Sequence, residues 1–315
     1  MLRRSSAPSA RPPRPRCRGV LENHEPPEDL VGFWHILAAE ANAVKLDYHR
    51  VRTDRTSPTG HVVDELAFTG MEGRTLYGWI AYEEDARRAP SFVWLPPYGR
   101  ESKLPDEYGT RAGFTSLSFN FHGERAFHEE RYAIDRGYFA EGVGDPETWV
   151  FRRMLGDAIV AARVLQAQIE ADEDRIGAMG MSQGAGMSIW LGAWCPLIKA
   201  VCADMPFLGR IADSLGGQVY RYPTKELIDA MDTMPVGRER VLNTVRYFDT
   251  VFQAAHCHVP TQVSLGLKDP ASKPDNVRAI FAALSGPKRL QVYDWGHDWH
   301  PEMIGANRDW LLENL

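Results

Sequence analysis

The apolar positions of this chain change period several times along its length. Between 145 and 171 they recur at helical spacing, with Phe151, Leu155, Ala158, Ala162, Leu165 and Ile169 on one stripe, which predicts a long amphipathic helix. A shorter helix is predicted over 26–43, beginning at Pro26-Pro27-Glu28-Asp29 and placing Phe33, Leu37 and Ala41 on one face. Three β-like segments follow at 45–51, 62–68 and 75–82, and alternation in the last two predicts antiparallel strands with one wet face. Short apolar runs at 91–95 and 114–121 read as buried strands, ending at Pro96-Pro97-Tyr98-Gly99 and His122-Gly123-Glu124-Arg125. Further strands are predicted at 175–181, 200–203, 261–267 and 290–293, with helices at 185–194 and 301–312. From 205 to 259 strand character is lost, and helical segments at 227–233 and 239–255 alternate with turns at Gly216-Gly217 and Pro235-Val236-Gly237. That stretch, about 206–258, reads as a helical cap inserted between two core strands. Strands alternating with helices predict an α/β fold with a mostly parallel central sheet covered on both faces.

Composition narrows the classes. Of 315 residues, 44% are hydrophobic and 25% charged, which suits one globular body over 23–315. Residues 1–22 differ: the first eighteen or so are rich in Arg, Pro and Ser and carry no acid. They lack the apolar centre of a secretory signal, and their prolines oppose the amphipathic helix of a transit peptide. They read as a disordered tail or the product of an early start codon. A net charge of −6 argues against a nucleic-acid surface, and no apolar run approaches the ~20 residues of a membrane helix. Cys17, Cys195, Cys202 and Cys257 show neither a pairing framework nor metal spacing. Cys195 and Cys202 lie in apolar surroundings and are expected to be buried free thiols, which fits a reducing cytoplasm.

The candidate chemistry centres on Gly180-Met181-Ser182-Gln183-Gly184, at a strand-to-helix turn. Gly-x-Ser-x-Gly in that context is a nucleophile elbow, whose tight turn lifts the serine hydroxyl and aims the next amide at an attacked carbonyl. A serine needs a base and an acid. Asp269 follows the 261–267 strand, and His297 follows the 290–293 strand, so the order is Ser, Asp, His. His297 would take the proton from Ser182 and return it to the leaving alcohol. Asp269 would orient the ring. Asp294 and Asp298 compete for the acid's role because they flank His297. Tyr98 supplies the first backbone N–H after a core strand, since Pro96 and Pro97 have none.

The chain resembles the acetyl xylan esterase / cephalosporin-C deacetylase group, carbohydrate esterase family seven, on the α/β-hydrolase fold. The likeness runs from about residue 26 to the C-terminus. It is carried by Phe33-Trp34, Arg136-Gly137-Tyr138-Phe139, Asp145-Pro146, Arg152-Arg153 and Ser182-Gln183-Gly184. It continues through Asp204-Met205-Pro206-Phe207-Leu208, Tyr247-Phe248-Asp249, Gly266-Leu267-Lys268-Asp269 and Gly296-His297. The resemblance implies Ser182, Asp269 and His297 as a triad and the amides of Tyr98 and Gln183 as an oxyanion hole. It also implies a small-molecule acyl ester, in particular an acetylated sugar, as substrate, and a homo-oligomer, a hexamer or related ring. Three positions depart from the family's pattern. His122-Gly123-Glu124 stands for Arg-Gly-Gln, Asp298 for the Glu after the histidine, and Pro96-Pro97 for His-Gly.

Other readings remain open at this level. His256 with His258, and His297 with His300, have spacings that zinc sites use; cap-surface histidines explain the first pair more simply, and the chain is read as needing no metal or cofactor. A hydrolase fold without catalysis, or a related enzyme acting on another ester, a lactone or an amide, shares the same motifs.

Overall fold

The computed structural model describes residues 25–125, 128, 137–217, 219, 221–233 and 237–315. The 1–22 tail, Cys17 and Arg136 lie outside them. In chain order the elements are α1 (Leu30–Ala43), β1 (Tyr48–Val51), β2 (Val62–Thr69), β3 (Thr75–Tyr82), β4 (Ala89–Leu95), β5 (Thr115–Phe119) and α2 (Val150–Gln166). Then come β6 (Ala171–Met181), α3 (Gln183–Trp194) and β7 (Ile198–Asp204). Four helices follow: α4 (Ile211–Leu215), α5 (Thr224–Thr233), α6 (Gly237–Tyr247) and α7 (Thr250–Ala254). The chain ends with β8 (Thr261–Gly266), α8 (Pro274–Ala283), β9 (Lys288–Tyr293) and α9 (Pro301–Asn314).

The nine strands among the described residues form one sheet, in the order β1-β2-β3-β5-β4-β6-β7-β8-β9. Pairing is antiparallel from β1 through β3 to β5 and parallel from β5 through β4 to β9. The alternation read in 62–68 and 75–82 does mark antiparallel strands, but the wet face expected of them is confined to part of β2 and the first residues of β3; the last five residues of β3 are all buried. The parallel strands are buried on both faces, which is why β5 and β8 read as short runs without alternation. This is an α/β-hydrolase architecture, with α4–α7 forming the insertion between β7 and β8.

Helix α1 shows why Phe33-Trp34 sits where it does. Trp34 is fully buried, stacks on Trp194 of α3 at 6.4 Å, and donates its indole N–H to the Tyr247 carbonyl at 3.0 Å. One side chain thereby ties the first helix to the sheet-covering α3 and to the end of α6.

Three readings needed correction. Ile169 is 63% exposed, because α2 ends at Gln166 and the stripe does not extend past it. The segment 239–255 is two helices rather than one. Asp249 breaks it: its carboxylate accepts the Val251 N–H that starts α7, and the Arg210 and Ile211 N–H groups that start α4. Helix α8 carries only Val277 and Ile280 as buried apolar positions, too short a stripe to stand out in the sequence. Cys195, Cys202 and Cys257 are buried free thiols, and burial pushes the Cys195 thiol up to about 11.

A buried carboxyl on α2 gives one testable consequence. Asp157 Oδ1 accepts the Met71 N–H at 2.7 Å, and Oδ2 lies 3.6 Å from Arg74. Burial outweighs the arginine and pushes the Asp157 carboxyl up to about 7. The folded protein therefore holds a proton that the unfolded chain has already lost between about pH 4 and 7, so this group's contribution to stability falls as pH rises through that window. Asp157→Asn should gain in melting temperature relative to the parent as pH is raised from 5 to 8. A pH-independent difference between the two melting curves would show that Asp157 is ionised in the fold.

Candidate active site

The elbow forms because β6 runs directly into α3. Ser182 is held at φ 56, ψ −114, in the left-handed half of backbone space where a non-glycine residue is strained. Two bonds fix it: its N–H donates to the Asp204 carbonyl at 2.8 Å, and its carbonyl accepts the Phe207 N–H at 3.0 Å. Burial pushes the Asp204 carboxyl up to about 6, and Asn307 donates to it at 2.6 Å from behind the sheet. Gly184 lets the turn close onto the neighbouring strand. A Cβ there would stand 2.0 Å from the Leu95 carbonyl oxygen, a backbone atom that cannot yield. That approach brings the end of β4, and with it the 96–99 loop, against the start of α3.

The acid and histidine loops meet in the same way. A Cβ on Gly266 would lie 2.8 Å from the Gly296 carbonyl oxygen, so glycine is what lets the histidine loop cross the end of β8. His297 Nδ1 is 2.7 Å from Asp269 Oδ2, and His297 Nε2 is 2.9 Å from Ser182 Oγ. Asp269 is fully buried in its side chain, and its other oxygen accepts the N–H groups of Ala271 and Ser272 at 2.7 and 2.8 Å. A carboxylate so placed accepts a hydrogen bond from Nδ1–H, which holds the proton on Nδ1 and leaves Nε2 as an acceptor facing the serine hydroxyl. The competing acids point elsewhere. Asp294 pairs with Lys268 at 2.8 Å, and Asp298 accepts the Trp299 N–H.

The two residues expected to donate to an oxyanion are tied into one network. Gln183 is the first residue of α3, where helix geometry gives the N–H no intrahelical acceptor. Tyr98 stacks on Tyr138 at 4.5 Å. The Tyr138 hydroxyl donates to Gln183 Oε1 at 3.0 Å and accepts the Gly99 N–H at 3.1 Å. Burial raises the Tyr138 phenol, which keeps it protonated and able to donate. The Tyr98 hydroxyl in turn donates to Glu226 Oε1 at 2.7 Å, and the Phe139 N–H donates to Glu226 Oε2 at 2.8 Å. Glu226 belongs to α5, so the cap grips the loop that carries Tyr98. Sequence reading missed Glu226 because a carboxylate on an amphipathic helix looks like any solvated one; its burial beside Leu227 is visible only in three dimensions.

Glu226→Gln keeps one acceptor of the two and should lower kcat about tenfold with KM nearly unchanged, since oxyanion donors act mainly in the transition state. Tyr98→Phe should behave alike. A KM effect at constant kcat would instead place the network in ground-state binding.

The departures from the family pattern also have local explanations. His122 packs on Tyr138 at 4.2 Å, and burial, aided by Arg100, Arg74 and Arg153, lowers its pKa to about 3. It is a neutral ring near pH 7. Glu124 lies 3.6 Å from Arg100, which offsets its charge at the site's border. His256 packs against Trp194 at 5.1 Å, on the side chain of α3. Among the described residues no group of three or more metal-binding side chains comes together, and no helix is long and apolar enough to cross a membrane.

A cavity of about 230 Å³ lies between the cap and the acid loop; none of the triad residues lines it, but its lining residues Phe207, Ala271 and Ser272 bond to Ser182 and Asp269 through their backbone N–H groups. Its floor is Pro206, Phe207 and Leu208 of the segment that follows β7. One wall is the acid loop from Pro270 to Lys273, and the other is Ile211, Ser214, Val219, Arg221, Tyr222 and Thr224 of the cap.

The model of one known family, acetyl xylan esterase, matches residues 20–312. A curated relative, acetyl esterase Axe7A of Xylanibacter ruminicola, is 22% identical over 284 residues, which cover 87% of this chain. The chain spans 64% of that relative's length. Among solved structures, an acetyl xylan esterase from Paenibacillus sp. R4 superposes with a TM-score of 0.81 at 22% identity, over 92% of this chain and 96% of that one. Acetyl xylan esterase 1 from Thermoanaerobacterium sp. JW/SL YS485 gives 0.77, also at 22% identity, over 92% and 95%. An acylaminoacyl peptidase from Pyrococcus horikoshii shares the fold more distantly, with a TM-score of 0.53 at 16% identity, over 87% of this chain and 41% of that one.

Proposed function

The chain belongs to the acetyl xylan esterase family, and from that premise we propose that it is a serine esterase removing acetyl groups from small esterified molecules through an acyl-enzyme intermediate. The observation that carries the proposal is the continuous line from Asp269 through His297 to Ser182 Oγ, with contacts of 2.7 and 2.9 Å.

In this reading Ser182 Oγ attacks the ester carbonyl while His297 Nε2 takes its proton. The carbonyl oxygen becomes an oxyanion, stabilised by the backbone N–H groups of Tyr98 and Gln183. Protonated His297, facing the buried Asp269 carboxylate, then gives its proton to the departing alkoxide, leaving acetyl-Ser182. A water attacks next, giving its proton to His297, which passes it to Ser182 Oγ as the acyl–oxygen bond breaks, and acetic acid leaves. Each step balances without a metal or cofactor. Hydrolysis of a simple acetate ester, lost in Ser182→Ala, tests the reading. Retained hydrolysis in that variant would overturn it.

The same reading includes a homo-oligomer. The edge strand β1 exposes Tyr48 and Val51, and a second copy covering such an edge would remove a pairing hazard. Light scattering at micromolar concentration should find a mass several times 35.5 kDa, and a monomer would refute it.

A further inference from the structure

We propose that the alcohol part of the substrate is a sugar bearing a carboxylate, which Arg221 and Lys273 hold at the mouth of the cap cavity. The inference deepens the deacetylase reading and rests on it.

Size comes first. A cavity of about 230 Å³ far exceeds what an acetyl group needs, since a water occupies only about 10–15 Å³ of such space. If the acyl group is acetyl, most of the cavity receives the alcohol.

Charge comes second. Arg221 reaches the cavity from the cap and Lys273 from the acid loop. Both residues are exposed, and neither has an ion pair among the described residues. No Asp or Glu lines the cavity among those residues. Fifteen residues of this chain's average composition would carry about two cations and about two acids; the lining has the cations without the acids, so it is net positive in a chain of net charge −6. The carboxylates nearby are already engaged. Asp269 holds His297, Glu226 accepts from Tyr98 and Phe139, Asp213 pairs with Arg210, and Glu124 pairs with Arg100. Asp275 is exposed on α8 but outside the lining.

Chemistry comes third. A guanidinium and an ammonium on opposite walls can share one carboxylate, the first as a two-pronged donor and the second as a point charge.

The test compares two acetyl esters that differ only in charge: a mono-acetylated methyl glucuronoside with its carboxylate free, and the same compound as its neutral methyl ester. At low ionic strength kcat/KM for the acid should exceed that for the neutral ester by about tenfold, as expected for two partly exposed contacts. Raising salt to about 0.5 M should bring the ratio toward one. The double variant Arg221→Gln with Lys273→Gln should abolish the ratio at low salt, mainly through KM. Lys273 makes no side-chain capping bond to α8, so the helix keeps its start. A control double variant, Arg87→Gln with Lys199→Gln, removes the same charge near the opposite ends of strands β4 and β7 and should leave the ratio intact. Should the double variant fail to fold, the salt dependence of the parent protein still decides. An acid that is no better than its methyl ester, or a ratio that salt does not move, overturns the inference. If both sugars are inert while 4-nitrophenyl acetate is hydrolysed through Ser182, this inference falls and the deacetylase reading stands. If 4-nitrophenyl acetate is also inert, both fall.

Discussion

Ser182→Ala is expected to reduce turnover of an acetate ester by about a thousandfold or more, while the melting curve stays close to the parent's. The loss follows from mechanism. Without Oγ there is no atom to carry the acyl group, and only a water placed by His297 and the oxyanion donors can attack. The fold survives because the elbow is set by backbone bonds. The Ser182 N–H to the Asp204 carbonyl, the Phe207 N–H to the Ser182 carbonyl, and the close approach at Gly184 do not involve the hydroxyl. Alanine at φ 56 is strained no more than serine. A serine-directed phosphonate should add one adduct mass to the parent, mapped to Ser182, and none to the variant. Labelling at another residue would move the nucleophile elsewhere.

Asp269→Asn should cost about ten-thousandfold in kcat, against a few-fold or less for Asp294→Asn and Asp298→Asn. The backbone geometry decides how the new amide sits. The Ala271 and Ser272 N–H groups donate to one oxygen of the side chain, so the amide oxygen of an asparagine must stay there. Its NH2 then faces His297. A donor opposite Nδ1 forces the ring's proton onto Nε2, and the ring presents a donor to Ser182 where an acceptor is needed. Asp294 and Asp298 lack this leverage: the first is an exposed partner of Lys268, and the second accepts from its own neighbour. Steady-state kinetics of the three variants settles the order. A larger loss in either of the other two would reassign the acid.

The contrast between the acid's position and the cap's role shows where sequence reasoning has force. Asp269 could be picked out because it follows a separate strand, and strand ends on one edge of a parallel sheet converge. The elbow, the histidine loop and the 96–99 loop could be located for the same reason, each being a short local pattern at the end of a strand. Periodicity also located α2 and the antiparallel β2 and β3, since a buried face writes its repeat directly into neighbouring positions.

What the sequence alone determined, then, is the succession of the nine described strands, a mostly parallel sheet and the order Ser, Asp, His at strand ends. The tertiary structure decided the rest. It split 239–255 at Asp249, exposed Ile169, turned His122 into a neutral packed ring and paired Glu124 with Arg100. It brought Glu226 to Tyr98 across 128 residues and Tyr138 to Gln183 across 45. No local repeat encodes such partners. A polar side chain's role depends on which groups share its burial, and that is fixed only when the cap closes on the sheet.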